Sequence, residues 1–397
     1  MALTEHLLPD PEPRTRMYTI ISVDDHLIEP AQLFEGRMPA HLQEHAPKIV
    51  EMPDGRETWV YEDGLYPQVG LNAVAGRPKD QWSMEPARFD EMRRGCWDIE
   101  ARVHDMDLDG VYASLCFPSL IAGFAGTIFA KSKDQELGLA AMRAWNDWHI
   151  EEWAGTHPER VIPLQLTWVN DPGIAAQEIL ANAARGFKAV SFPENPVDMK
   201  LPPMLDKHWD PFLRACEETE TVVCLHNGSS QWTAARSPGA PLELYTSLFP
   251  VNALVTAAEW LWAQVPTRFP NIKIAFSEGG ISWVPMLIDR ITYVLDHSAV
   301  GSDGWDDKTI SPIDALRRNF WFCTIDLGST FALRDHIGID HICIESDFPH
   351  ADSTWPDTQP SARTALQGLP DEIVRKVTWE NASKLFRHPV PPELRQP

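Results

Sequence analysis

Hydrophobic positions along this chain gather into short runs, each closed by turn residues. Eight such runs recur: TIISVDDHL at 19–27, GVYASLCFPS at 110–119, RVIPLQLTWV at 160–169, FKAVSFPEN at 187–195, TVVCLHNG at 221–228, IKIAFSEGG at 272–280, FWFCTIDLG at 320–328 and HICIESDFPH at 341–350. Their near-continuous apolar character is that of parallel strands covered on both faces. Helix-period segments lie between them. The segment 132–155 puts Leu137, Ala141, Ala144 and Trp148 on one stripe, and 281–297 does the same with Val284, Leu287, Ile288, Ile291 and Leu295. The segment 171–186 ends in a glycine suited to a helix C-terminus. Eight strand–helix alternations predict an α/β fold, a (β/α)8 TIM barrel, with an open doubly wound sheet as the alternative.

Two intervals break the alternation. Residues 30–108 are too many for an ordinary strand-to-helix loop, and they contain ETWVYEDGLYPQVG, a predicted hairpin turning at Asp63-Gly64. This reads as an insertion after strand 1, spanning about 35–95 and covering the C-terminal mouth. The Pro-, Ser- and Gly-rich stretch from Ser229 to about Leu254 reads as a second lid. The predicted organisation is an N-terminal extension at 1–16, one domain at 17–390 and a tail at 391–397.

Barrel chemistry belongs at the C-terminal ends of the strands. The first run ends in Asp24, Asp25 and His26, the fourth in Glu194, the fifth in His226, the sixth in Glu278 and the eighth in Asp347. Alternate strand residues share a face, so Asp24 and His26 point together while Asp25 points away as a structural acceptor. Taken singly, each residue has an ordinary reading: a core histidine, a turn carboxylate, or a loop-orienting Glu29 or His350. Taken together, so many buried carboxylates at one end repel one another, and a cation is the simplest compensation.

Composition narrows the partners. The formal charge of −23 over 397 residues disfavours nucleic acid and anionic membrane surfaces. Neither a signal peptide nor a membrane span is predicted, so a cytoplasmic location is expected, with a small-molecule substrate. None of the six cysteines forms a CxxC pair, and Cys116, Cys224, Cys323 and Cys343 sit inside strand-like runs as expected buried thiols. Trp59, Trp82, Trp97, Trp145, Trp148, Trp153, Trp260 and Trp262 offer surface for lids or for subunit contacts, and a homo-oligomer or a hetero-oligomer is expected.

The motifs SVDDHLIEP, FPENP, CLHNGSS, FSEGGISWVP, ESDFPHADSTWP and WENASKLF, from about Ser22 to Phe386, resemble the amidohydrolase-related family of the amidohydrolase superfamily. That branch includes aminocarboxymuconate-semialdehyde decarboxylase and resorcylate-type decarboxylases. The resemblance implies metal ligands at Asp24, His26, His226 and Asp347. The chain departs from the family at Glu278, where a catalytic histidine is common, and in its Asp-x-His start. Carboxylates in place of imidazoles harden the site toward Mn²⁺ or Fe²⁺ rather than Zn²⁺. The full expected ligand set is Asp24, His26, Glu194, His226, Glu278 and Asp347, holding one or two ions, with Asp347, Glu278 and His350 as catalytic groups. The implied activity is a metal-dependent hydrolase or decarboxylase acting on a small, carboxylate-bearing compound. Two alternatives remain: a dinuclear iron or manganese oxygenase with Glu194 bridging, and a non-catalytic partner subunit.

Overall fold

The computed structural model describes residues 7–82, 85–297, 304–325 and 328–396. Parts of the predicted N-terminal extension, of the seventh run (Asp326 and Leu327) and of the C-terminal tail lie outside the described residues. Each of the eight runs carries a strand. They are β1 (Ile21–His26), β5 (Ala113–Phe117), β6 (Val161–Ile162) with β7 (Leu164–Leu166), β8 (Ala189–Ser191), β9 (Val222–His226), β10 (Ile274–Ser277), β11 (Phe320–Thr324) and β12 (Ile342–Ile344). The strands are shorter than the runs. Glu194, Glu278 and Asp347 therefore stand in the turns that follow β8, β10 and β12.

All these strands pair in parallel, in two series: β1-β5-β6, and β7 through β12 in sequence order. The third run belongs to both series because Pro163, which has no N–H to donate, divides it. The carbonyl of Pro163 still accepts from Lys188 and Ala189 N–H at 3.0 and 3.2 Å. At the far ends of the two series, Asp347 N–H donates to the Asp24 carbonyl at 2.9 Å and His26 N–H to the Phe348 carbonyl at 2.7 Å. The result is an α/β fold with parallel sheets, its helices lying between successive strands.

The interval after β1 holds a separate antiparallel sheet of β2 (Lys48–Glu51), β3 (Glu57–Tyr61) and β4 (Gly64–Tyr66). The hairpin turns on Glu62-Asp63 rather than Asp63-Gly64, with Glu62 in the left-handed region (φ 49°) and Gly64 opposite Tyr61. Just beyond it, Val74 and Ala75 N–H both donate to the Pro349 carbonyl at 3.0 Å, which ties this interval to the loop after β12.

The predicted helices form at Gln135–Trp148, Pro172–Arg185 and Trp283–His297. Asp171 caps the second by accepting from Gly173 and Ile174 N–H, and Gly186 ends it at φ 110°. In the third, Val284, Leu287, Ile288 and Ile291 are buried, whereas Leu295 is exposed. Most of the tryptophans are core. Trp59, Trp145, Trp148, Trp153 and Trp260 are buried and Trp82, Trp97 and Trp262 half-buried, because a ring of that size fills space between layers more effectively than smaller side chains. All six cysteines are buried and free. No described helix is long and apolar enough to cross a membrane.

Asp109, at the end of the helix Ile99–Asp109, is buried and accepts from Thr358 N–H at 2.9 Å and Thr358 Oγ1 at 2.5 Å. Burial raises its carboxyl to about 7 from an ordinary value of 3.8. A raised folded-state value favours folding below the unfolded value and loses that contribution as pH climbs through the folded one. The wild type should therefore lose stability between about pH 4 and 7. Asp109→Asn, which mimics the protonated form, should flatten that slope in urea titrations at several pH values; parallel profiles for the two proteins would contradict this.

Candidate metal centre

The register of β1 against β5 jumps between Ser22 and Asp25. Such an irregularity re-aims side chains. Asp25 turns away and fastens three segments: it accepts from Ser22 Oγ (2.9 Å), Ser346 Oγ (2.6 Å), Phe348 N–H (3.1 Å) and Ser114 Oγ. This is the structural role its alternation predicts. Glu29 likewise orients a loop, accepting from Ser119 N–H and Oγ (3.1 and 2.5 Å) and from Trp145 Nε1 (3.0 Å).

Asp24 and His26 turn inward, where His226 at the end of β9 meets them. His26 Nε2 lies 3.2 Å from His226 Nε2. Asp24 Oδ1 lies 3.6 Å from the first nitrogen and 3.5 Å from the second. The His226 Nδ1–H donates to the Asn227 carbonyl at 2.8 Å, so in the neutral ring Nε2 carries a lone pair directed at the others. Asp347 Oδ1 approaches His26 Nε2 at 3.2 Å and His350 Nδ1 at 3.0 Å. Glu278 stands 3.8 Å from His226 Nε2 and 4.0 Å from His350 Nδ1.

Asp24, His26, His226 and Asp347 are all buried, and neither oxygen of Asp24 has a hydrogen-bond partner among the described residues. A buried carboxylate left unpaired is costly. Two converging ring nitrogens beside orphaned carboxylate oxygens are the donor set a divalent cation requires, and the residues fit one. Two groups of donors converge in this way: Asp24, His26 and His226, and His26, Glu278, Asp347 and His350. Glu194 is in neither. Its carboxylate accepts from Gly228 N–H at 2.8 Å and its own N–H donates to Ser229 Oγ at 3.0 Å, which places it against the loop after β9.

Electrostatics follow from crowding acids into a dry mouth. Burial first, and then Glu345, Glu278 and Asp347, hold the Asp24 carboxyl well above its ordinary range. Burial, Asp347 and Asp352 do the same to Glu278. Burial pushes Glu194 to about 8, and with the charge of Asp347 it pushes Asp352 to about 7. Burial drives His26 down to about 4 and lowers His226. Against the opposing effect of burial, His350 and His26 hold Asp347 well below its ordinary range, and Asp347 in turn raises His350.

Both Glu278 and Asp347 adopt left-handed backbone, at φ 57° and 54°. Side chains rarely tolerate that region, and such residues cluster where a site over-determines them. Here Glu278 follows directly on β10 and Asp347 stands three residues past β12, and both carboxylates are swung toward the two histidines. Sequence gives no warning of Asp352, which sits on an aperiodic loop, or of Arg102. The buried Arg102 guanidinium reaches from the helix after the insertion to donate to the His26 carbonyl and, at 2.7 Å, to the Gly95 carbonyl.

A cavity of about 520 Å³ opens onto His226, Glu278 and His350. Phe124, Trp232, Tyr245 and Phe249 give it aromatic walls, while Leu71 and Asn72 from the interval after β1 also line it. The stretch expected as a second lid supplies much of this lining. A smaller cavity of about 210 Å³, which shares Thr246, Phe249, Glu278 and Asp352 with the first, reaches Glu345 and Asp347.

The model of the family described as amidohydrolase matches residues 27–388. The chain belongs to the amidohydrolase family. Among solved structures, this amidohydrolase is similar to an amidohydrolase from Mycobacterium avium subsp. paratuberculosis K-10, with 22% identity, TM-score 0.71, and 93% of this chain and 99% of that one covered. It is also similar to a dihydroxybenzoic acid decarboxylase from Polaromonas sp. JS666, solved with manganese and the inhibitor 2-nitroresorcinol (15% identity, TM-score 0.60, coverage 94% and 97%). A third is the 5-carboxyvanillate decarboxylase of Novosphingobium aromaticivorans DSM 12444, solved with manganese and 4-hydroxy-3-methoxy-5-nitrobenzoic acid (15% identity, TM-score 0.62, coverage 95% and 99%). At these identities the likeness speaks for the fold. No curated protein matches the sequence of this amidohydrolase.

Proposed function

We propose that this amidohydrolase is a metal-dependent decarboxylase of small aromatic acids, built on a closed eight-run barrel and holding one divalent cation, manganese by preference. The orphaned Asp24 carboxylate facing the two histidine nitrogens carries the reading. Asp24, His26, His226 and Asp347 would hold the ion. Such an ion supplies positive charge that holds a substrate oxygen and stabilises developing negative charge. The barrel reading is supported by the strand order and by the hydrogen bonds joining the loop after β12 to β1.

The remaining work falls to the chain's own residues. Phe124, Trp232, Tyr245 and Phe249 offer faces to an aromatic ring. None of the described residues lining the main cavity is Lys or Arg. His350, the cationic side chain of the described lining, is already paired with Asp347, so a carboxylate bound there is poorly stabilised and its conversion to neutral CO₂ relieves that burial. Glu278, kept protonated by burial and its acidic neighbours, stands on the cavity wall and can deliver the proton that replaces CO₂ on the ring carbon. The balance is one ring acid anion and one proton in, one arene and one CO₂ out. Asp347 and His350 hold each other charged beside it.

The second donor group, His26, Glu278, Asp347 and His350, supports a two-ion alternative with oxygenase chemistry. Metal stoichiometry by mass spectrometry, with CO₂ release from dihydroxybenzoates measured with and without O₂, separates the two. About one ion per chain and O₂-independent CO₂ release are expected. Two ions with O₂ uptake would install the alternative, and no retained metal would sink both.

A further inference from the structure

The wall of the main cavity next to His226 carries a pair of amides whose orientation is forced. Ala234 N–H donates to Asn252 Oδ1 at 3.1 Å, which turns the Asn252 nitrogen toward Asn227. Asn252 Nδ2 then donates to Asn227 Oδ1 at 2.8 Å and approaches the Trp232 carbonyl at 3.5 Å. A backbone N–H can only donate, so the chain of assignments admits no flip. Asn227 is left with its amide nitrogen. That nitrogen donates to no protein acceptor among the described residues, and both asparagines line the cavity while being buried. The titratable groups around it are the acids Glu243, Glu278 and Asp352 and the Asp347-paired His350, with no Lys or Arg among the described lining residues.

We infer that Asn227, held in place by Asn252, is the donor that selects an anionic oxygen on a single-acid aromatic ring in this cavity. The inference rests on the proposed use of the cavity as the substrate site and deepens it. Asn227 is the specificity-determining residue and Asn252 a positioning residue. A second carboxylate on the ring meets the acids Glu243 and Asp352, while His350 is already paired with Asp347, so it is rejected.

The test uses the full chain loaded with Mn²⁺ and three ring probes: 2-hydroxybenzoate, 2-hydroxyisophthalate and 2-hydroxybenzylamine, with Kd read by tryptophan fluorescence or calorimetry. Wild type should bind 2-hydroxybenzoate most tightly. Asn227→Ala should weaken it by about 10- to 100-fold, the range for a hydrogen bond to a charged group, with manganese content unchanged. Asn252→Asp still accepts from Ala234 but cannot donate, so the Asn227 amide turns over and presents its oxygen to the cavity. It should weaken 2-hydroxybenzoate and strengthen 2-hydroxybenzylamine. Because the new carboxylate could act by charge alone, the same change is made in the Asn227→Ala background, where it should add little.

Retention of wild-type affinity by Asn227→Ala with full manganese would overturn the inference. So would an Asn252→Asp effect that persists undiminished in the double variant, or equal binding of the dicarboxylate. Wild type that binds none of the ring acids overturns it together with the substrate class. Binding that follows the expected order without CO₂ release overturns the proposed reaction and leaves this inference standing.

Discussion

Asp347→Asn is expected to lower turnover by about 10²–10⁴-fold, the span usual when proton transfer in the transition state is disabled, because its charge sets the proton on His350, which stands 4.0 Å from Glu278. The amide keeps an oxygen that can face a cation, so the variant should bind Mn²⁺ more weakly and be refilled at high concentration. It cannot keep the negative charge. In the native site that charge faces His26 Nε2 at 3.2 Å and His350 Nδ1 at 3.0 Å, and against the effect of burial it raises His350. Refilling with metal should accordingly fail to restore CO₂ release. Mass spectrometry of the loaded variant beside its kcat gives the answer, and a fully active variant would remove Asp347 from the chemistry. Asp352→Asn is the companion: it lies on the cavity loop and belongs to neither converging donor group, so manganese should be retained at wild-type levels.

The second large effect concerns stability. Arg102→Met should destabilise the fold by roughly 3–5 kcal/mol, the cost of breaking a buried charge arrangement by removing one partner. The guanidinium is 1% exposed, donates to the carbonyls of Gly95 and His26, and sits 4.4 Å from the Phe348 ring centroid. Its positive charge is the chief influence opposing the burial of Asp25. Methionine fills much of the same volume, so the expected loss is electrostatic and not one of packing. A urea midpoint unchanged from wild type would show that the Asp25 network stands without the cation. Arg102→Lys, with its charge but no planar fork, should fall between the two.

Asp24, His26, His226 and Asp347 were legible because strand periodicity fixes which residues share a face and because the runs all end at one side. Glu278 was legible for the same reason, although its left-handed turn was not. Glu194 followed the same pattern in sequence, yet its carboxylate meets Gly228 N–H rather than the donor groups. A strand end determines which side of a sheet a residue leaves from, whereas the loop it meets there comes from elsewhere in the chain. Asn227 and Asn252, 25 positions apart, give no periodic signal at all, since their relation depends on how the stretch after β9 folds back over the cavity.

By itself, the sequence determined the parallel α/β class, the order of the eight runs and the acid-and-histidine character of one end, because alternation of apolar and polar positions is a local property of the chain. Tertiary structure decided the rest. The partners that Asp25 fastens, Ser114, Ser346 and Phe348, came from other segments, Arg102 was brought under His26 from about 75 residues away, and the amide pair was locked by one backbone N–H. These depend on distances between segments remote in sequence, and only the packed fold sets those distances.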